Sequence, residues 1–131
     1  MRFLLDTHIW LWCLLEPGKL SRRVIKALED ANNELWLSPI SVWELLMLCE
    51  KKRVAVDNDP AQWVQAALQK VPLREASLTN EVALITHQLH LPHRDPADHF
   101  LIATAQVYGL TLVTADKRLI ASQLAPTFAN G

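Results

Sequence analysis

Short apolar runs alternate with helix-like segments along nearly all of this 131-residue chain. Met1–Leu5 ends at Asp6-Thr7, Glu34–Leu37 at Ser38-Pro39, and Leu110–Val113 at Thr114-Ala115-Asp116; Val71–Arg74 is a further run of the same kind. Runs this short and this apolar read as strands buried on both faces. Between them lie segments with helix signals. His8–Leu15 is apolar nearly all round and is closed by Glu16-Pro17-Gly18. Ser21 caps a helix that reaches about Asp30, before Asn32-Asn33. Ser38 followed by Pro39 gives an N-cap with proline at the first helical position, for a helix to about Lys52. Asp59-Pro60 opens another to Gln69, Ser77 or Thr79 one to about Gln88, and Asp95-Pro96 one that ends at Tyr108-Gly109. A short helix follows Asp116, and the tail from Ala125 is expected to fray. Strands alternating with helices argue a parallel sheet, because parallel neighbours need a crossover and a helix supplies one. The expectation is one α/β domain over residues 1–131, with a central parallel sheet, helices on both faces, a core over about 1–121 and a short tail.

Composition excludes several classes. Half the residues are apolar and the formal net charge is −1, so neither disorder nor a purely electrostatic coat for a polyanion is indicated. A local basic patch would still suffice for nucleic acid. Cys13 and Cys49 form no CxxC pair and sit in apolar helical stretches, which reads as reduced, buried thiols in a cytoplasmic protein. Asp6 and His8 interrupt the N-terminal apolar run, so it does not resemble a signal peptide, and no apolar stretch reaches membrane-spanning length.

Four carboxylates, Asp6, Glu44, Asp98 and Asp116, recur where a strand ends or a helix begins. In an open parallel sheet such places converge at the carboxyl edge of the strands, where ligands bind. Taken singly, each has an ordinary structural reading. Asp6 could cap the following helix, and Asp116 could cap or turn. Asp98 in a first turn suits the helix dipole, and Asp95, three residues earlier on the same face, is a natural N-cap before Pro96. Glu44 is harder to dismiss. Its neighbours are Ile40, Val42, Trp43, Leu45 and Leu46. The ordinary alternative is a narrow solvent stripe flanked by Ser41 and Met47/Leu48, against which the apolar Leu48 four residues on counts, and a buried carboxylate needs a cation or a metal partner. Together the acids would repel one another, and a dication would reverse that penalty. Hard oxygen donors select Mg²⁺ or Mn²⁺, and two such ions could clamp the attacking water and the leaving oxygen of a phosphodiester. Thr7, Ser41 and Thr114 are placed to orient the carboxylates, with backbone capping as the alternative. Lys51, Lys52, Arg53, Lys117 and Arg118 are candidates for phosphate contact, with a solvated surface as the alternative. His90, His93 and His99 lack the cysteines and spacing of a zinc site. Of the five tryptophans, Trp36 and Trp63 read as core. Trp10, Trp12 and Trp43 read either as core or as an exposed apolar groove for a protein partner.

Four blocks then carry a family likeness: Leu4-Leu5-Asp6-Thr7-His8; Ser38-Pro39-Ile40-Ser41-Val42-Trp43-Glu44-Leu45; His93-Arg94-Asp95-Pro96-Ala97-Asp98-His99-Phe100-Leu101-Ile102-Ala103-Thr104-Ala105; and Leu112-Val113-Thr114-Ala115-Asp116. In this order and spacing they resemble the PIN-domain nucleases, and more closely the VapC-type toxins of type II toxin–antitoxin modules, from Met1 to about Ile120. The resemblance implies a three-layer α/β/α sandwich and a Mg²⁺- or Mn²⁺-dependent endoribonuclease. It places the family's acidic positions on Asp6, Glu44, Asp98 and Asp116, with Asp95 as a further acidic contributor that competes with its N-cap reading. It also implies a VapB-like antitoxin whose C-terminal segment wraps the toxin and sets a basic side chain in the acidic site, while its N-terminal domain binds operator DNA. A homodimer or a toxin–antitoxin hetero-oligomer is implied as well. One departure is visible: no final strand is recognisable in Ser122–Gly131. Two rival readings remain, a catalytically silent PIN-like binding module and an aspartate-nucleophile phosphatase. Against the first, all four acidic positions are filled. Against the second, His8 stands where a phosphatase of the haloacid dehalogenase-like group has its second Asp.

Overall fold

The computed structural model describes residues 1–92 and 94–131; His93, one of the three histidines considered above, lies outside them. The elements run β1 (Arg2–Leu5), α1 (Thr7–Leu15), a 3₁₀ turn (Pro17–Lys19), α2 (Arg22–Glu29), β2 (Glu34–Leu37), α3 (Pro39–Glu50), α4 (Pro60–Lys70), β3 (Arg74–Glu75), α5 (Asn80–Gln88), α6 (Pro96–Tyr108), β4 (Thr111–Thr114), α7 (Lys117–Ser122) and β5 (Thr127–Ala129). The strands form one all-parallel sheet in the order β3-β2-β1-β4-β5. Phe3 lies opposite both Leu35 of β2 and Thr111 of β4. From β1 the chain builds outward through β2 and β3 on one side, then returns to lay β4 and β5 on the other. The strand order therefore reverses between β1 and β4, which opens a crevice at their carboxyl ends.

Alternate residues of the central strands feed two cores, as the two-residue period requires. Phe3, Leu5 and Val113 pack with Ile9 and Trp10 of α1, Val24 of α2, Leu45 of α3 and Val64 of α4. Leu4 and Leu112 point the other way, onto Leu101, Ile102 and Ala105 of α6 and Leu119 of α7. The result is the expected sandwich with helices on both faces. Each fully buried large apolar side chain contributes about 1.5–3 kcal/mol. The caps read from the sequence form. Ser21 accepts from the Val24 amide at 3.2 Å, Ser38 from Ile40 at 3.1 Å, Asp59 from Gln62 at 3.2 Å and Thr79 from Val82 at 3.2 Å. Gly109 closes α6 with φ of 65°, a left-handed conformation that costs a glycine little. Among the described residues, no helix is long and apolar enough to cross a membrane.

Two expectations are corrected. The third strand is Arg74–Glu75, shifted toward the end of the run Val71–Arg74, because the register with β2 pairs Trp36 with Arg74 and Leu37 with Glu75. The tail does not fray: Thr127–Ala129 is a fifth strand, paired with β4. Three residues are too few to show a strand period, and what holds them lies far off in sequence. Phe128 packs edge-on against Phe3 with centroids 5.2 Å apart, and the Arg23 guanidinium lies 3.8 Å over its ring. Asn130 accepts from the Ser21 amide at 2.7 Å and donates to the Lys19 carbonyl at 3.0 Å.

Candidate active site

At the β1–β4 crevice a cavity of about 300 Å³ is lined by Asp6, Glu44, Asp95, Asp98 and Asp116, with His8, Trp12, Ala115 and Arg118 completing its wall. Four secondary elements deliver the acids. Asp6 leaves the end of β1, Glu44 projects from α3, Asp95 and Asp98 sit at the start of α6, and Asp116 follows β4. All five acidic residues singled out from the sequence are thus brought together.

Asp6 occupies the N-cap position of α1, yet its side chain makes no capping bond. It turns inward instead. Its Oδ2 accepts a 2.7 Å hydrogen bond from the Thr114 hydroxyl, and the residue is buried. Burial pushes the Asp6 carboxyl above its ordinary value and the charge of Asp98 adds to the rise, while the Thr114 hydrogen bond and nearby His8 oppose it. Thr114 also accepts from the Asp116 amide at 3.0 Å, so one hydroxyl fixes the carboxylate of one strand and the backbone after another.

Glu44 is half-buried, and its Oε1 accepts from the Thr7 hydroxyl. Thr7 Oγ1 also lies 2.8 Å from Ser41 Oγ. A hydroxyl has one proton, so with that proton given to Glu44 the second contact is completed by the Ser41 hydroxyl. Thr7 and Ser41 are both buried, and this relay holds Glu44 toward the cavity. Burial raises the Glu44 carboxyl, and Asp95, Asp6 and Asp98 raise it further against the lowering effect of Thr7. Like charge in the cavity thus adds to burial in raising both carboxyls.

The other acids keep structural duties. Asp95 caps α6, accepting from the Ala97 amide at 3.0 Å, and it stands at the exposed rim. Asp98 is buried in the first turn of the same helix, with Arg118 Nη2 4.0 Å from its Oδ2. Asp116 caps α7 through the Arg118 amide at 2.8 Å, and its carboxylate also takes the Arg118 side chain at 3.0 and 3.3 Å. That guanidinium holds the Asp116 carboxyl below its ordinary range.

Arg118, read from the sequence as a phosphate contact or a solvated surface group, is the guanidinium that lies against two of the acids, Asp116 and Asp98. His8 and Trp12, one turn apart on α1 with rings 6.1 Å apart, join the wall; their four-residue spacing was the available signal. Lys51 and Arg53 line a neighbouring groove, while Lys52 and Lys117 line neither. His99 is tied through Nδ1 to the Asp95 carbonyl at 2.9 Å. Trp10 is core, Trp12, Trp36 and Trp63 are half-buried, and Trp43 is exposed. Cys13 and Cys49 are free thiols, half-buried instead of fully buried. Among the described residues, no three His, Cys, Asp or Glu groups are drawn together tightly enough to hold a metal ion, and the carboxylates stand around the cavity wall.

Comparison with known proteins agrees with this architecture. The PIN domain family matches residues 3–123. The chain is 37% identical over 119 residues to Ribonuclease VapC22 of Mycobacterium tuberculosis, covering 88% of each. Among solved structures it resembles VapBC2 from Rickettsia felis bound to a DNA fragment from its promoter, with a TM-score of 0.73 and 16% identity over 98% of each chain. It also resembles DNA-bound VapBC from Salmonella typhimurium, with a TM-score of 0.70 and 15% identity over 100% of this chain and 99% of that one.

Proposed function

The chain belongs to the PIN-domain family, and from that premise we propose that it is a metal-dependent endoribonuclease and the toxin of a toxin–antitoxin pair. The observation that carries this reading is Asp6. It gives up a helix cap to point a buried carboxylate into a cavity shared with Glu44, Asp98 and Asp116. A fold does not keep such a cluster for stability, since burial and like charge both oppose it.

In kind the donor set suits a hard dication, although its carboxylates would have to draw in from the cavity wall to share one ion. It consists of carboxylate oxygens, and two of the carboxyls, Asp6 and Glu44, are pushed up by burial first and then by neighbouring acids, Asp98 in both cases. Asp6, Glu44, Asp98 and Asp116 would hold Mg²⁺ or Mn²⁺, with Asp95 at the rim as a further contributor. When bound, such an ion supplies Lewis-acid stabilisation of the charge that builds at phosphorus and on the leaving oxygen. The chain's own residues do the positioning. Thr114 fixes Asp6, and the Ser41–Thr7 relay fixes Glu44. Arg118 holds Asp116 against the mouth of the cavity, where its guanidinium is also a suitable contact for a phosphate. His8 and Trp12 close one side.

The partners follow from the family. The substrate is RNA. The regulatory partner is a VapB-like antitoxin, supported by the VapBC complexes among the structural relatives. Assembly as a homodimer or as a toxin–antitoxin hetero-oligomer in the cytoplasm is part of the same reading.

The test is cleavage of end-labelled structured RNAs by wild type and Asp6→Asn with Mg²⁺, Mn²⁺ or EDTA, before and after denaturing refolding to strip a co-purified inhibitor. Cutting by wild type alone, abolished by EDTA, is the expected result. Equal cutting by both proteins, or none by refolded wild type on any RNA tested, would refute the proposal.

A further inference from the structure

Among the described residues that line the acidic cavity, Arg118 alone carries a permanent positive charge. Its guanidinium is spent on the acids. Nε and Nη2 form a fork on Asp116, reaching Oδ1 at 3.3 Å and Oδ2 at 3.0 Å, and the same Nη2 lies 4.0 Å from Oδ2 of Asp98. One nitrogen thus faces an oxygen of two different carboxylates. The charges of Asp98 and Asp95 act on this guanidinium as well.

The fork does not by itself keep Asp116 in place. Asp116 Oδ1 accepts from the Arg118 main-chain amide at 2.8 Å, and the Asp116 amide donates to Thr114 Oγ1 at 3.0 Å. Neither bond uses the Arg118 side chain, so both survive its loss. What the guanidinium alone does is cover carboxylate oxygen. Each such oxygen offers two lone pairs, and Oδ1 of Asp116 already serves the amide and Nε. The Arg118 side chain is 57% exposed, so water can solvate it as soon as it lets go. Two roles are open to a group so placed. As a brace for Asp116 it would favour a metal. As a resident cation it would compete with one.

The main-chain bonds make the brace redundant. We infer that Arg118 is the built-in counter-ion of the site, and that its guanidinium must leave Asp116 and Asp98 as a dication enters. The inference rests on the metal-dependent reading and adds to it an exchange of one cation for another. Among the described residues no three acids close on one point. Departure of the guanidinium takes away the cation that Oδ2 of Asp116 and Oδ2 of Asp98 both face, while Oδ1 of Asp116 stays on its cap. A dication brings twice the charge to the same oxygens, so the exchange runs forward. The guanidinium sets how much metal it takes.

The two roles differ in sign, and metal affinity reads the sign without any turnover. Mn²⁺ binding to the refolded full chain is followed by the paramagnetic resonance of the free ion, for wild type, Arg118→Gln and Lys117→Gln. Arg118→Gln should bind Mn²⁺ roughly 1.5- to 5-fold more tightly, the range expected of an exposed ion pair. The gain should shrink as added salt screens the pair. Lys117→Gln removes the same charge from an exposed neighbour outside the cavity wall and should change affinity less. Both side chains are exposed, so both variants should melt with wild type, which excludes misfolding as the cause. The exchange itself is visible by nitrogen NMR. The Arg118 Nε–H signal, identified by its loss in Arg118→Gln, should move toward that of a solvated arginine as Mg²⁺ is added. Unchanged or weaker Mn²⁺ binding by Arg118→Gln overturns the inference. So does a gain no larger than that of Lys117→Gln, or an Nε–H signal that saturating Mg²⁺ leaves in place. A wild type that binds no Mn²⁺ overturns the metal reading itself and the inference with it, an outcome distinct from normal binding that is indifferent to Arg118.

Discussion

Replacing Thr114 with valine keeps the shape of a buried side chain and removes one oxygen. That oxygen donates to Asp6 Oδ2 at 2.7 Å and accepts from the Asp116 amide at 3.0 Å. A hydrogen bond to a charged group contributes about 1.5–3 kcal/mol, and an amide left without an acceptor costs about 1–3 kcal/mol. Asp116 is only half-buried, so water can reach that amide and the lower part of the second range applies. The expected loss is about 2–4 kcal/mol, or a fall in Tm of roughly 6–15 °C for a chain of this length. Urea unfolding followed by circular dichroism measures it, with Thr114→Ser as the control. Serine keeps both bonds and loses one buried methyl group, at about 1 kcal/mol. A valine variant as stable as wild type, or a serine variant as damaged as valine, would refute the role given to this hydroxyl. Thr114→Val placed on Asp6→Asn should cost about 1 kcal/mol less than on wild type, since the charged acceptor is gone.

Further outcomes follow from the same geometry. The Asp6 and Glu44 carboxyls titrate above their ordinary values, so across the window from the unfolded value up to the folded one the native protein holds more protons than the unfolded chain. Its stability must then fall as pH rises through that window, and Asp6→Asn should be at least as stable as wild type at neutral pH while losing that advantage toward pH ~4; urea midpoints across pH 4–8 test the sign. Mn²⁺ should raise the Tm of wild type more than that of Asp6→Asn, since ligand linkage acts through the site that the substitution weakens. Asp95→Asn keeps a capping oxygen for the Ala97 amide and should change stability by under ~0.5 kcal/mol, against about 1 kcal/mol for Asp95→Ala. If Asp95 is chiefly a cap, Asp95→Asn also retains RNA cleavage where Asp98→Asn abolishes it. Arg118→Gln should let the Asp116 carboxyl titrate upward, visible by carbon NMR, with little change in stability because the Arg118 side chain is exposed and water screens the pair.

What the sequence disclosed here tracks how local each signal is. Strands β1, β2 and β4 are short apolar runs stopped by polar residues, and the caps at Ser21, Ser38, Asp59, Thr79 and Asp95 are single-residue chemistry at helix starts, so all of these were legible. β5 was not, because what holds Phe128 is Phe3 and Arg23, more than a hundred residues away. The acids stood out because Asp6 and Asp116 follow strands, Asp95 and Asp98 open a helix, and Glu44 is a lone carboxylate among apolar neighbours. Their division of labour did not, since Asp6, Asp95 and Asp116 all look like caps in sequence and only Asp6 abandons that duty. Arg118 was read as one candidate phosphate contact among several, with a solvated surface as the alternative. Its closure onto Asp116 and Asp98 depends on how α7 leaves β4, which no local pattern encodes.

The pairing of β1 with β4 joins Phe3 to Thr111, and the crevice exists only once that pairing is made. Closing so long a loop is slow, and it yields nothing until most of the chain is in place. No contiguous fragment carries the acid cluster, because its members are drawn from residues 6, 44, 98 and 116. Catalytic competence in such a molecule is therefore an all-or-none reporter of folding: its loss in denaturant should coincide with global unfolding, and cut fragments should gain nothing unless they re-associate across that one strand pair.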